Sequence, residues 1–284
     1  MSGEITLEAR AKLNLYLDIT GLRSDGYHLL ETVMQSISLA DIVHIRLYEC
    51  GRGITVSCSD RALPRDEDNL AGKAARLYMD EIGECAGADI FIEKRIPSGA
   101  GMGGGSADAA AVLFGLNRLY GRLSEERLAA LALKCGADVP FCLFGGTKLC
   151  RGIGEVMEDL PPIGECFFLV VMPDFTCPTG EAYRKWDASP LPVKGKLSDF
   201  LEEGIACPEN MHNVFEVLYN DPRIEQIRRR LLIEGGAKGV RLTGSGAALF
   251  GIFSDRESAQ KAAGLFPERF TAVCTPESSG IAVL

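Results

Sequence analysis

Five glycines fall within seven residues, at Gly99, Gly101, Gly103, Gly104 and Gly105, inside the run Pro97-Ser98-Gly99-Ala100-Gly101-Met102-Gly103-Gly104-Gly105-Ser106. Ordering so many glycines is entropically expensive, so the run needs a use. Without β-carbons the backbone N–H groups can approach and wrap phosphate oxygens. A helix opening at Ser106 adds its unpaired amide donors and the positive end of its dipole, with the Ser106 hydroxyl beside them. The plainer alternative is a glycine-rich turn with no ligand, but helix capping alone does not need this many glycines.

Several phosphate-loop patterns overlap here and are separated by context. Gly99, Gly101 and Gly104 fit G-x-G-x-x-G, yet no strand bearing a ribose-binding acid follows at the expected distance, since Glu125 falls at a helix start. The P-loop of NTPases needs Lys directly before Ser or Thr, and position 105 is Gly. No H-R-D or D-F-G triplet marks a protein kinase. Other residues with chemical potential are Lys12, Asp138 before Val139-Pro140, and the pair Tyr27-His28 after a turn at Ser24-Asp25-Gly26. Taken alone, Lys12 reads as a solvated strand lysine, Asp138 as a turn or cap residue, and His28 as a satisfied structural histidine.

The elements that must position these groups are readable from periodicity. From Ala11 to Asp18 the residues alternate, with Ala11, Leu13, Leu15 and Leu17 on one strand face. Lys12, Asn14, Tyr16 and Asp18 share the other, which either meets water or lines a cavity. Val43, Ile45 and Leu47 against His44 and Arg46 predict a second strand, and Asp89 to Lys94 a third. Asp68 and Asn69 cap a helix over Leu70 to Ile82, Ala-rich sequence after Ser106 predicts a helix to about Leu119, and Ser124 caps another.

The stretch Asp159-Leu160-Pro161-Pro162-Ile163-Gly164 reads as a connection, which divides the chain into domains at 1–160 and 161–284. The second begins with an apolar strand, Phe167 to Met172. It continues with helices near Met211 to Tyr219 and Pro222 to Ile233, strands from Val240 to Phe253, a helix near Ser254 to Leu265 and closing strands. Strands and helices do not alternate regularly, so the fold class is α+β rather than a doubly wound sheet.

Composition limits the function further. Acidic residues outnumber basic ones 39 to 30, giving a net charge of -9, and no Lys/Arg-rich run offers the footprint of a nucleic-acid binder. Charged residues interrupt the first twenty positions, and no run reaches the roughly 18 apolar residues of a membrane span, so a cytoplasmic, non-membrane protein is expected. The ten cysteines form no C-x-x-C pair and only His28, His44 and His212 are available beside them, so reduced thiols and no zinc site are expected. No Asp/Glu cluster looks like a metal cage, and no protein metal ligand is assigned. Oligomeric state is not legible.

Read whole, Pro97 to Ala110 resembles the P-x-G-A-G-L-G-G-G-S-S-x-A-A phosphate loop of the GHMP kinase superfamily. Ala11-Lys12-Leu13-Asn14-Leu15 and Leu242-Thr243-Gly244-Ser245-Gly246-Ala247 resemble its other two motifs, so the likeness covers nearly the whole chain. Arg23 to Leu30 and Gly136 to Phe141 are similar to signatures of the branch that phosphorylates a cytidine diphosphate-linked methylerythritol on the non-mevalonate isoprenoid route. The resemblance implies a two-domain fold, with an N-terminal domain like domain 2 of ribosomal protein S5, a ferredoxin-like C-terminal domain and a cleft between them. ATP and Mg2+ are implied with it. So are Asp138 as general base with Lys12 favouring the carboxylate and the developing alkoxide, and nucleotide contacts from Pro97 through Ser106, Ala107, Asn69 and Lys94. Acceptor contacts fall on Asn14, Tyr27, His28, Thr179 and Tyr183. Two departures stand out: Ala107 replaces a second serine, and Asn213-Val214-Phe215-Glu216 stands where an N-D-x-E-like stretch is common. The rival readings are another GHMP kinase, of the mevalonate, phosphomevalonate or homoserine type, and a non-catalytic nucleotide-binding regulator.

Overall fold

The computed structural model describes residues 3–50, 52–188, 195–219 and 221–284. Two long strands, β1 (Glu4–Leu22) and β2 (His28–Cys50), form an antiparallel hairpin that organises the first half. There follow β3 (Ile54–Cys58), α1 (Leu70–Ile82), β4 (Ala86–Glu93), α2 (Gly104–Tyr120), α3 (Glu125–Cys135), α4 (Val139–Phe144), β5 (Thr147–Gly152) and β6 (Val156–Asp159). The second half holds β7 (Phe167–Val171), α5 (Thr179–Ala188), α6 (Leu197–Glu203), α7 (Pro222–Arg229), β8 (Val240–Leu242), β9 (Leu249–Phe253), α8 (Arg256–Ala263), β10 (Thr271–Cys274), β11 (Pro276–Glu277) and β12 (Ile281–Val283).

These strands make two sheets. One runs β12-β1-β2-β4-β3, with β5 and β11 also on β2 and β6 on β5; the other runs β10-β7-β9-β8. The last two strands thus return to the first sheet, where Ile281 lies opposite Ala9 and Val283 opposite Leu7. Mixed sheets with helices packed on them are the α+β arrangement expected. One core cluster joins Leu7, Val43 and Ile45 of the first sheet to Ala109, Leu113 and Leu116 of α2.

Local signals place the helix starts well. The Asn69 side chain accepts a hydrogen bond from the Ala71 amide at 3.0 Å, and Ser124 caps α3 by accepting from the Arg127 amide. Helix α2 opens at Gly104, two residues before Ser106. Three expectations are revised. The alternation from Ala11 to Asp18 is broken by register shifts between Arg10 and Lys12 and again between Asn14 and Tyr16, and every residue from Ala11 to Ile19 is buried: Leu13 and Leu15 pack in one cluster with Phe168 and Phe250 of the second half, while Lys12 and Asn14 line a cavity. The helix expected over Met211 to Tyr219 is a short 3-10 segment, Val214–Leu218; buried Asn213 caps it through the Phe215 amide while donating to the carbonyls of Leu242 and Gly244. Helix α7 ends at Arg229 and passes into a π turn, Arg230–Glu234.

Among the described residues eight cysteines carry free thiols, most of them buried, and burial pushes Cys135 up to about 11 and Cys150 up to about 12. Cys85, between α1 and β4, is disulfide-bonded, which corrects the expectation of thiols throughout. Among the described residues no helix is long and apolar enough to cross a membrane.

Candidate active site

A cleft of about 900 Å³ runs between the two halves. Its floor is the glycine run, where Gly99, Gly101 and Gly103 take φ values of +69, +76 and +70. That left-handed backbone is accessible to glycine and strained for other residues, and alternating it turns successive amides toward one side. The loop is held from both flanks. The Lys12 amide donates to the Met102 carbonyl at 3.0 Å and the Ala248 amide donates to the Ala100 carbonyl at 3.2 Å. A β-carbon on Gly101 would lie 2.2 Å from the Thr243 carbonyl oxygen, and one on Gly103 3.2 Å from the Lys12 stem. Gly105, in the first turn of α2, is different: it is exposed, and a β-carbon there meets nothing within 4 Å. The amide end of α2 therefore opens into the cleft with the Ser106 side chain beside it. Ala107 does not share this position. It is fully buried, does not line the cleft, and its amide already donates to the Gly103 carbonyl at 2.8 Å, so it has no N–H to give a phosphate.

Above the loop, Lys12 Nζ lies 3.6 Å from Asp138 Oδ2 and donates to Asn14 Oδ1 at 2.6 Å. Lys12 is 4% exposed, so its ammonium is tied to these two partners rather than solvated. Asp138 occupies the N-cap position of α4, yet its side chain caps nothing, which leaves the carboxylate free at the cleft wall. Asn14 is a junction between the halves: its Nδ2 donates to Thr32 Oγ1 at 2.8 Å and its Oδ1 accepts from the Gly244 amide at 2.9 Å. The motif Leu242 to Ala247 thereby holds β1 in place, as well as bracing the loop.

At the loop's foot, Lys94 Nζ bridges Asp41 Oδ2 at 2.5 Å and Asp108 Oδ2 at 2.7 Å. Burial alone would lower the Lys94 ammonium, but Asp108 and Asp41 together raise it above its ordinary value. Burial pushes Asp108 up to about 7; Lys94 opposes this and the Asp41 charge adds to it. Asp108 Oδ1 has no hydrogen-bond partner among the described residues. Sequence reasoning placed Lys94 here but missed both acids, since Asp41 sits in mid-β2 with no local signal and Asp108 reads as one polar residue in an Ala-rich helix. Asn69 also lines the cleft, but its amide is spent on the Ala71 cap and on the Pro64 carbonyl.

At the far end, Tyr27 is exposed at the hairpin tip while His28 is held under α5. Tyr183 stacks on His28, with ring centroids 4.6 Å apart. Thr179 Oγ1 lies 3.0 Å from Ser245 Oγ. The residues expected to meet a nucleotide, an acceptor alcohol and a base thus line one cavity, with Ala107 outside it. Among the described residues no group of three or more His, Cys, Asp or Glu is placed to hold a metal ion.

A glycine cradle at a helix start, set in a cleft between two α+β halves beside a lysine and carboxylate pair, defines the GHMP class of small-molecule kinases. The family models for the GHMP kinases N terminal domain and the GHMP kinases C terminal match residues 69–146 and 197–271. A 4-diphosphocytidyl-2-C-methyl-D-erythritol kinase from Syntrophomonas wolfei is 42% identical, over 96% of this chain and 98% of that one. A crystal structure of 4-(cytidine 5'-diphospho)-2C-methyl-D-erythritol kinase superposes with a TM-score of 0.78 at 32% identity, covering 97% of this chain and 99% of the other. The chain belongs to this family, the 4-diphosphocytidyl-2-C-methyl-D-erythritol kinases. A homoserine kinase from Cytophaga hutchinsonii, at 20% identity and a TM-score of 0.71 over 99% of this chain and 97% of that one, shares the fold.

Proposed function

We propose that this chain transfers the γ-phosphoryl group of ATP to the 2-hydroxyl of 4-diphosphocytidyl-2-C-methyl-D-erythritol, on the non-mevalonate route to isoprenoid precursors. The observation that carries the reading is the 3.6 Å pair of Lys12 and Asp138 in the cleft onto which the amide end of α2 opens. In-line transfer needs the acceptor oxygen, its proton sink and the phosphoryl donors within one short span. The amides of Gly99 to Gly105 and the Ser106 hydroxyl grip the triphosphate, whose charge is matched by the α2 dipole. Asp138 takes the proton of the 2-hydroxyl, and the Lys12 ammonium balances the negative charge growing on that oxygen. Asn14 orients Lys12 and carries the acceptor end, while Tyr27, His28, Thr179 and Tyr183 hold the cytidine end.

Lys94 steadies the loop through Asp108 and Asp41 as well as facing the phosphates. Mg2+ enters with ATP. Among the described residues no acidic cluster is placed to hold it, and no step runs through the ion. The test is a coupled ADP-release assay with the cytidylylated methylerythritol as acceptor and free methylerythritol phosphate as control. ADP release that depends on the cytidine diphosphate group is expected. Equal rates with homoserine or mevalonate would transfer the chain's activity to another acceptor class.

A further inference from the structure

Three side chains of α5 converge on one histidine. Tyr183 covers a face of the His28 ring, Trp186 meets it edge-on at 5.4 Å and 87°, and Asp187 Oδ1 lies 2.7 Å from His28 Nε2. The spacing i, i+3, i+4 puts all three on one side of the helix. His28 and Tyr183 line the cleft, whereas Trp186 and Asp187 stand behind them and do not. His28 Nδ1 makes no hydrogen bond with any described residue.

A neutral imidazole carries one N–H, and the partner of one nitrogen decides where it resides. A carboxylate only accepts, so Asp187 requires the proton on Nε2 and leaves Nδ1 with a lone pair. The bond to Asp187 also fixes the ring against a half-turn, which would exchange Nδ1 for a carbon. Cytosine offers an amino group that donates, whereas uracil has a carbonyl at the same place that accepts. A fixed lone pair attracts the first and repels the second, and an unpaired or opposed polar group is where specificity is strongest.

We propose that Asp187, itself outside the cleft, is a positioning residue for base specificity: it fixes the His28 tautomer that presents Nδ1 as an acceptor to the amino group of cytosine. This rests on the reading of the acceptor as cytidine-linked. Two measurements on the full chain test it. The first is the ¹⁵N spectrum of the histidine rings, tractable with three histidines and assigned with His28→Gln. A pyrrole-type Nε2 and a pyridine-type Nδ1 are expected at His28, and a protonated Nδ1 in the wild type overturns the proposal without any variant.

The second compares cytidine-linked and uridine-linked acceptors in wild type and Asp187→Ala. Seating of α5 is followed by fluorescence of Trp186, the single tryptophan. The variant is expected to raise KM for the cytidine-linked acceptor about tenfold, the scale of one hydrogen bond, and to erode the preference over uridine, with the effect in KM rather than kcat. If the wild type discriminates and the variant discriminates equally, the role of Asp187 is wrong. If the wild type accepts both bases alike, the cytidine reading itself fails and the proposal falls with it.

Discussion

Replacing Gly105 by alanine should make the protein more stable and a poorer binder of ATP. Gly105 lies in the first turn of the 17-residue helix α2, outside the left-handed region, and a β-carbon there finds open space. Glycine costs helices about 0.5–1 kcal/mol relative to alanine, through the freedom it loses on folding. With nothing to clash, Gly105→Ala should gain that amount, about 1–4 °C in Tm for a chain of this size. The open space is the cleft itself, however, and a methyl group there stands between the α2 amides and a phosphate. Losing one hydrogen bond to a charged group costs about 1.5–3 kcal/mol, so KM for ATP should rise about 10- to 100-fold. Thermal melts without ligand and ADP-release kinetics over an ATP series measure the two effects separately. Opposite signs are the diagnostic, since general damage would lower both. A variant with unchanged KM for ATP would mean that the phosphates do not pass over Gly105, and the loop's assignment would have to be withdrawn.

Asp138→Asn should bind ATP normally and lose about 10²-fold or more in turnover, the usual scale for a general base; near-normal turnover in single-turnover assays would leave the carboxylate without a catalytic role and favour a regulator on the same fold. Gly101→Ala combines a φ of +76 with a β-carbon 2.2 Å from the Thr243 carbonyl, so a loss above about 2 kcal/mol is expected by urea denaturation, and a loss below about 0.5 kcal/mol would contradict the packing described. Asp108 is pushed up to about 7, so the folded protein holds a proton there that the unfolded chain releases near pH 4. Its contribution to stability is present at low pH and declines as pH rises from about 4 through 7. Asp108→Asn lacks this decline, so its Tm relative to wild type should improve between pH 5 and pH 8; a constant gap would show that the carboxyl is not perturbed.

What the sequence disclosed was mostly local in origin. The glycine run and the caps at Asn69 and Ser124 depend on neighbours a few residues away, and both caps lie where they were read. The failures share the opposite cause. The full burial of strand β1 from Ala11 to Ile19 was not legible, because part of its covering is supplied by residues far along the chain, such as Phe168, Phe215 and Phe250. The β5–β6 hairpin and α4 were passed over because short elements there carry weak periodicity and are fixed by pairing with β2 and packing on α2. Asp41 and Asp187 were invisible as site residues for the same reason: each matters through one partner, Lys94 or His28, brought to it by the tertiary fold.

The pairing of β12 with β1 has a consequence for how this chain is made. Strand β1 leaves the ribosome long before β12, the strand that covers its edge. Until then that edge shows a row of unpaired amides and carbonyls, the template on which foreign strands add. A sheet closed by such distant segments folds slowly and passes through sticky intermediates. Rapid overproduction should therefore drive this chain into aggregates more readily than its finished stability would suggest, and slower synthesis or added chaperone should recover it.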